Sequence, residues 1–419
     1  MGSDVFQPIQ GMDDLAAPEI GLWQELESTS RRVFHLYGYS EVRTPVLEPA
    51  SVFLHSLGTT TDVVQKEMYR FEHRGGHDLA LRPEGTAGVM RYVAGHLQEL
   101  QDGRLYYLGP MFRSERPQKG RRRQFHQIGA EAISGPNPLV DAEAIALQVH
   151  LLNAWGVRGF TIRLNTRGTA EDQVAVGQGL RARLEPVRDQ LCEDCRRRFD
   201  LNISRILDCK NPGCRGLVKD LPALRDFMSE ETRAYHEEVL KHLERLEIPV
   251  EVSPFLVRGL DYYQHTIWEI THPGLGSQDA LSGGGRYRIT MGKQGIDGVG
   301  FAIGIERLIL AVKEERGDEV DKAGFMVWLV AVDTGLLPDL LELAQTLRLR
   351  GIPCQVDLKG RSVKAQMRVA ARAGATHIVL RGSAEAERGT FQWKEMATGS
   401  QREVSLPELI ADATALAKG

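Results

Sequence analysis

The stretch YYLGPMFRSERPQKGRRRQFHQIGAE, residues 106–131, constrains this chain more than any other. Two alternating segments flank a loop that carries Arg116, Lys119, Arg121, Arg122 and Arg123 within eight residues. That is the pattern of a hairpin with a basic tip. Strand side chains alternate between faces, so Gly109, Met111, Arg113 and Glu115 share one face going out, and Phe125, Gln127, Gly129 and Glu131 share one coming back. If the two faces coincide, Arg113, Gln127 and Glu131 form a floor, with Gly109 and Gly129 leaving room above the backbone. Such a floor suits a small polar ligand. The basic loop looks too dense and too mobile to serve packing, and suits polyphosphate or nucleic acid; a solvated tip is the plainer alternative.

A chain of 419 residues exceeds what one core normally organises. The spacing of Ile20, Trp23, Leu26, Val33, Phe34 and Tyr37 predicts a helix over 18–37. Residues 41–48 read as a strand whose Pro45 favours an edge or a subunit contact. Further strands are expected at 68–72, 79–82, 160–165, 254–263 and 264–270, with a helix over 141–155. Residues 166–250, highly charged and helical in pattern, look like an insertion that splits the first domain into 1–165 and 251–318. After a charged linker at 313–322, residues 324–419 alternate strand and helix as a small separate α/β domain. Lys359, Arg361, Lys364, Gln366 and Arg368 would give that domain a basic, amide-bearing surface.

Lys and Arg number 52 against 56 Asp and Glu, a net charge of 52 − 56 = −4, so any contact with nucleic acid must be local. No basic segment followed by an apolar run opens the chain, and no apolar run reaches membrane-spanning length. A soluble cytoplasmic protein is expected, and five cysteines, an odd number, argue against a disulfide scaffold. Four of them, Cys192, Cys195, Cys209 and Cys214, have a spacing at which thiolates can close a tetrahedral zinc site. The same knuckle could also pack without metal. Arg196, Arg197 and Arg198 lie nearby and would favour thiolates.

Other residues bear chemistry that packing does not require. Glu84 and Thr86 stand at a helix entrance after Pro83, where a carboxylate can serve the helix dipole or a ligand ammonium. Arg258 interrupts an apolar segment and needs an anion, either Asp261 or a phosphate. Gly283, Gly284 and Gly285 mark a close approach to the backbone. Arg307 falls in a first helical turn, against the dipole, which suggests a ligand anion unless Asp297 or another carboxylate satisfies it.

Together these motifs resemble the histidyl-tRNA synthetases of bacterial type, within the class II aminoacyl-tRNA synthetases. The matching pieces are RTPVLEP (43–49), LRPEGTAG (81–88), FRSERPQKGRRRQFHQIGAE (112–131), LVRGLDYY (256–263), GGGRY (283–287) and GFAIGIERL (300–308). The resemblance implies an α+β fold: an antiparallel catalytic sheet flanked by helices, a helical insertion and a C-terminal α/β anticodon-binding domain. It implies a homodimer with the 43–49 motif at the interface. It also implies ATP-dependent attachment of L-histidine to tRNA(His) through histidyl-adenylate, with Mg2+ on the phosphates. Arg113 and Arg258 would then serve catalysis; Arg113, Arg121 and Arg307 would hold ATP; and Glu84, Thr86, Gln127, Glu131, Tyr262 and Tyr263 would line the histidine pocket. Gln118, Arg122, Arg123, Arg361 and Lys364 would meet tRNA. Arg288 stands where such chains usually carry Asp, which touches the expected contact to the adenylate. Two other readings have the same fold or the same charge: a non-catalytic regulatory subunit of ATP phosphoribosyltransferase, expected to lack the tRNA-binding end, and a nucleic-acid-binding module without chemistry.

Overall fold

A computed structural model describes residues 6–58, 61–118, 120–276, 279–317 and 325–417, and the chain divides into two units near residue 320. In order, the first unit holds helix α1 (Glu19–Leu36), strands β1 (Ser40–Glu41) and β2 (Leu47–Pro49), helix α2 (Ala50–Leu57), strands β3 (Arg70–Glu72) and β4 (Asp78–Leu81), helix α3 (Thr86–Gly95), strands β5 (Arg104–Phe112) and β6 (Gln124–Ile133), helix α4 (Pro138–Ala154) and strand β7 (Thr161–Thr166). Helices α5 (Ala170–Leu184), α6 (Glu193–Leu201), α7 (Pro212–Val218) and α8 (Glu230–Arg245) follow. Strands β8 (Glu251–Val252), β9 (Tyr263–Thr271), β10 (Ala280–Met291) and β11 (Gln294–Gly304) and helix α9 (Ile305–Arg316) close the unit.

Eight strands form one sheet in the order β1-β5-β6-β11-β10-β9-β7-β8, antiparallel except for the pairs at its two edges. Alternation along each strand sends side chains to two cores. On β9, Trp268 joins the core built by α1, α4, α8 and α9, while Ile267 joins the core under α2 and α3. Helix α1 buries Trp23, Leu26, Val33 and Phe34 at helical spacing, and Phe34 stacks on Tyr106 of β5 with ring centroids 4.4 Å apart. Helices α5, α6 and α7 have a small core of their own, whereas Val239 and Leu243 of α8 pack into the main one.

Beneath the sheet lies a buried ion pair. Arg286 Nη2 meets Asp141 Oδ1 at 2.7 Å, and Asp141 Oδ2 also accepts from Thr266 Oγ1 at 2.6 Å and Tyr235 OH at 2.9 Å. Arg286 Nη1 donates to the carbonyls of Ser134 and Gly135. The arginine of GGGRY is thereby a structural residue, not a ligand group.

Several expectations are corrected. Residues 254–262 form no strand; this irregular segment enters β9 only at Tyr263. The expected strand 41–48 is two short strands, β1 and β2, broken over 42–46 around Pro45. The expected linker begins inside α9, which runs to Arg316, and its residues from 318 lie outside those described. The room expected above Gly129 is filled by the Tyr107 ring, and that above Gly109 by the Arg82 guanidinium.

The second unit has a five-stranded sheet. It contains strand β12 (Val327–Ala331), helix α10 (Leu337–Arg348), strand β13 (Cys354–Val356), helix α11 (Val363–Arg372), strand β14 (His377–Arg381), helix α12 (Ser383–Arg388), strands β15 (Thr390–Glu395) and β16 (Gln401–Ser405) and helix α13 (Leu406–Ala417). The order is β13-β12-β14-β15-β16, with β12 parallel to β13 and β14. Gln366, expected on a basic surface, is instead buried and staples α11 to β12 through the amide and carbonyl of Ala331.

Candidate active site

The hairpin places its two faces together: Gly109 pairs with Gln127 and Met111 with Phe125. Arg113 leaves the end of β5 and donates from Nε to the Pro83 carbonyl at 2.9 Å, its guanidinium 5.2 Å from the centroid of the Phe125 ring. Two cavities share this arginine. One, of about 190 Å³, is lined by Glu84, Thr86, Gln127, Glu131, Arg258, Tyr262 and Tyr263. The other, of about 180 Å³, is lined by Glu115, Arg121, Arg122, Glu306 and Arg307. The two cavities thus bring together all the residues expected to hold histidine and ATP.

The first cavity is an acceptor-rich pocket. Glu84 receives the amides of Thr86 at 2.8 Å and Ala87 at 2.7 Å, so it caps α3 as well as lining the pocket. Thr86 Oγ1 donates to Glu131 Oε1 at 2.7 Å. Burial pushes the Glu131 carboxyl up to about 8, against the Thr86 hydrogen bond, with neighbouring Glu84 adding to the rise. Burial also raises Glu84, against the hydrogen bonds it accepts. Glu131 Oε2 and Gln127 Oε1 are buried and lack a hydrogen-bond partner among the described residues. Two buried acceptors left open, beside carboxyls that resist ionising alone, suit a cationic donor-rich ligand.

Where the sequence suggested Asp261 as the partner of Arg258, the Arg258 Nη1 donates to Glu269 Oε2 of β9 at 2.8 Å. No local spacing marks Glu269, which faces the irregular segment of Arg258 from β9, eleven residues on. A Cβ at Gly283 would lie 2.1 Å from Arg258 Nη2, one at Gly284 2.4 Å from the Trp268 ring, and one at Gly285 2.7 Å from the Tyr263 ring. The three glycines admit side chains on both faces of the sheet. Tyr287 of GGGRY completes the wall.

In the second cavity, Arg307 Nε donates to the Gly120 carbonyl at 3.3 Å and Nη1 to that of Ala280. Burial lowers its pKa, and Arg121 lowers it further. Asp297 pairs instead with Arg288 at 2.5 Å, on the exposed end of the β10–β11 hairpin. Arg288 is therefore absent from both cavity linings. Arg121 Nη1 meets Glu115 at 3.1 Å, and both oxygens of Glu306 accept the His126 amide at 3.0 Å.

The basic loop is docked more firmly than expected. Arg122 pairs with Asp13 at 2.8 Å, the Arg123 amide donates to the Gly11 carbonyl at 2.8 Å, and Gln118 shares backbone hydrogen bonds with Arg121. Lys119 lies outside the described residues. In the second unit, Arg361 is held by buried Asp357 at 2.8 Å, and Lys364 is exposed on α11.

Cys192, Cys195, Cys209 and Cys214 are all free thiols with sulfurs within 4.8 Å of one another. Cys192 and Cys209 are 3.8 Å apart, the edge of a tetrahedron with zinc–sulfur bonds of about 2.3 Å. Backbone amides of Cys192 and Asn211 point at the Cys214 and Cys209 sulfurs, at 3.3 and 3.4 Å. Four converging thiols with amide donors to two of them fit a tetrahedral metal. Two of the three nearby arginines are engaged elsewhere, Arg197 with Asp194 and Arg198 with Asp62.

A mostly antiparallel sheet whose hairpin arginine is shared by an amino-acid-sized pocket and an arginine-lined one is the architecture of a class II aminoacyl-tRNA synthetase. The family model described as histidyl-tRNA synthetase matches residues 11–192 and 211–308, and that of the anticodon binding domain matches 326–415. The chain belongs to the histidyl-tRNA synthetase family. It is 42% identical over 419 residues to the histidine–tRNA ligase of Halothermothrix orenii, covering 98% of this chain and 99% of that one. The histidine–tRNA ligase of Synechococcus sp. is also 42% identical, over 97% of this chain and 98% of its own. Among solved structures, the apo histidyl-tRNA synthetase of S. aureus superposes with a TM-score of 0.80 at 32% identity, over 98% and 100% of the two chains. A Bacillus halodurans structure titled as an ATP phosphoribosyltransferase regulatory subunit/histidyl-tRNA synthetase shares the fold, with a TM-score of 0.66 at 20% identity over 90% and 98%. No helix among the described residues is long and apolar enough to cross a membrane.

Proposed function

We propose that this chain is a histidine–tRNA ligase whose two cavities divide the first half-reaction between them. The observation that carries the proposal is the meeting, at Arg113, of an acceptor-lined pocket and an arginine-lined one. Glu84 and Glu131 take the α-ammonium and imidazole of L-histidine together with Gln127, and the Tyr262 and Tyr263 rings close the walls. ATP lies across Arg113, Arg121 and Arg307. A carboxylate oxygen of histidine attacks the α-phosphorus, the histidyl-adenylate anhydride forms, and the bond to pyrophosphate breaks. Arg113 and Arg258 meet the charge that develops on the α-phosphate oxygens. The terminal ribose hydroxyl of tRNA(His) then attacks the activated carbonyl, and AMP leaves.

Glu115 and Glu306 are the carboxylates in the ATP cavity, where Mg2+ on the phosphates would neutralise part of their charge. The four cysteines would hold a structural zinc ion. Gln118, Arg122 and Arg123 face the acceptor end of tRNA, and Arg361 and Lys364 the anticodon side. Exposed Val46, Leu47 and Phe71, apolar side chains in and beside the 43–49 motif, support a homodimer contact there. The enzyme acts in the cytoplasm.

The test is histidine-dependent exchange of labelled pyrophosphate into ATP, followed by charging of tRNA(His). Exchange with histidine and with no other amino acid is the expected result. Binding of tRNA by a folded protein that shows no exchange with any amino acid would overturn the proposal.

A further inference from the structure

Residues 256–262 supply Arg258 and Tyr262 to the histidine pocket, yet they belong to no strand or helix, and the sheet reaches their backbone at its far end, where the Arg288 amide of β10 donates to the Tyr262 carbonyl at 3.0 Å. A cavity of about 490 Å³ lies against them, with Val257 and Asp261 in its wall, so close packing does not hold them from that side. Side chains from neighbouring elements do. Asn165 Nδ2 donates to the Leu256 carbonyl at 3.1 Å and Arg167 Nη1 to that of Leu260 at 3.3 Å.

A third tether comes from the cysteine knuckle. Asn202 Nδ2 donates to Asp261 Oδ1 at 2.9 Å, and Asn202 Oδ1 accepts from Ser204 Oγ at 2.7 Å, which fixes the amide orientation. Three residues on, Arg205 approaches Gly259, where an added Cβ would lie 3.0 Å from Nη1, and reaches Asp62 at 3.7 Å. Asn202 and Arg205 both lie in the span between Cys195 and Cys209. Whatever closes the four-sulfur cluster fixes both ends of the span that holds the loop. The family model passes over residues 193–210, so this device is not part of the common match.

We infer that metal closure of the cysteine cluster sets the affinity of the histidine pocket through the Asn202–Asp261 hydrogen bond, with Asn202 as a positioning residue; this rests on reading the chain as a histidine-activating enzyme and the cluster as a zinc site. Zinc binding energy is spent in ordering the knuckle, the ordered knuckle presents the Asn202 amide, and Asp261 then holds Tyr262 at the pocket wall. Coupling of this kind is reciprocal. If zinc tightens histidine binding by some factor, histidine tightens zinc binding by the same factor.

The experiment uses the full-length chain, wild type and Asn202→Ala, with zinc content by mass spectrometry and histidine affinity by equilibrium dialysis, before and after chelation. The wild type is expected to hold one zinc and to bind histidine about tenfold more tightly loaded than stripped, and bound histidine to protect zinc from chelator by the same factor. Asn202→Ala is expected to keep its zinc, to bind histidine as weakly as the stripped wild type and to gain nothing from zinc. An Asn202→Ala protein with wild-type histidine affinity, or equal affinities of loaded and stripped wild type, would overturn the coupling. Absence of zinc from protein purified with zinc would overturn the metal site instead, and absence of histidine binding in every form would overturn the enzyme reading. Should stripping unfold the wild type, the zinc-loaded Asn202→Ala protein still decides the coupling.

Discussion

Thr86, the first residue of α3, donates its hydroxyl hydrogen to Glu131 Oε1 of β6 across 2.7 Å, while Glu131 Oε2 is buried without a hydrogen-bond partner among the described residues. One oxygen is thus oriented by the fold and the other is left for a ligand. The same burial that makes the open oxygen costly raises the carboxyl to about 8.

That rise has a sign that can be measured. The folded-state value lies above the ordinary carboxyl value of about 4.3, so between the two the folded chain binds more protons than the unfolded one, and stability falls as pH rises through this window. Glu131→Gln removes the titration. Without ligand, the variant is expected to melt within about a degree of wild type at pH 5 and several degrees above it at pH 8.5. Parallel melting curves for the two proteins across that range would show that Glu131 ionises normally.

Arg258 predicts a kinetic effect and a steric one. Arg258→Ala is expected to lower pyrophosphate exchange by about 10² to 10³ at saturating substrates, the usual cost of one donor to a developing charge. Arg258→Lys should recover little of it, because a point charge does not replace the fork held by Glu269. Gly283→Ala places a methyl group on the Arg258 guanidinium and should mimic the loss with the fold intact by circular dichroism. A Gly283→Ala enzyme of wild-type rate would show that the guanidinium does not act from this position.

Much of the site was legible in the sequence because local pattern carries it. The period of two along 106–131 places Arg113, Gln127 and Glu131 on one face, and the proline at 83 marks the start of α3 beside Glu84. What failed depends on how the elements pack. Glu269 as the partner of Arg258 and the inward turn of Gln366 onto Ala331 follow from strand order and helix docking, which no local spacing encodes. Residues 254–262 read as a strand because they are apolar, yet they are held by side chains of other elements. Local apolarity states that a segment is inside, not which backbone pairs with it.

The Asp141–Arg286 pair gives a stability prediction separate from activity. Both groups are buried and paired with each other, so removing one strands the other. Asp141→Ala is expected to cost about 3 to 5 kcal/mol, seen as a lower urea midpoint, if the unpaired Arg286 stays buried. A cost under about 1 kcal/mol would mean that the sheet opens to hydrate the arginine.

Lys364 separates tRNA contact from chemistry. Arg361 is the poorer probe, because truncating it would leave buried Asp357 without its cation and damage the fold of the second unit. Lys364 is exposed on the same helix start, so Lys364→Ala should change only the charge presented to the nucleic acid. Pyrophosphate exchange needs no tRNA and is expected to be unchanged. The KM for tRNA(His) should rise a few-fold, and the slope of log affinity against log salt should become shallower by about one. Charging measured at several salt concentrations decides the matter: an unchanged slope would place the anticodon-side contact elsewhere on this unit, and a fall in exchange would mean that the substitution acts on the fold and not on the contact.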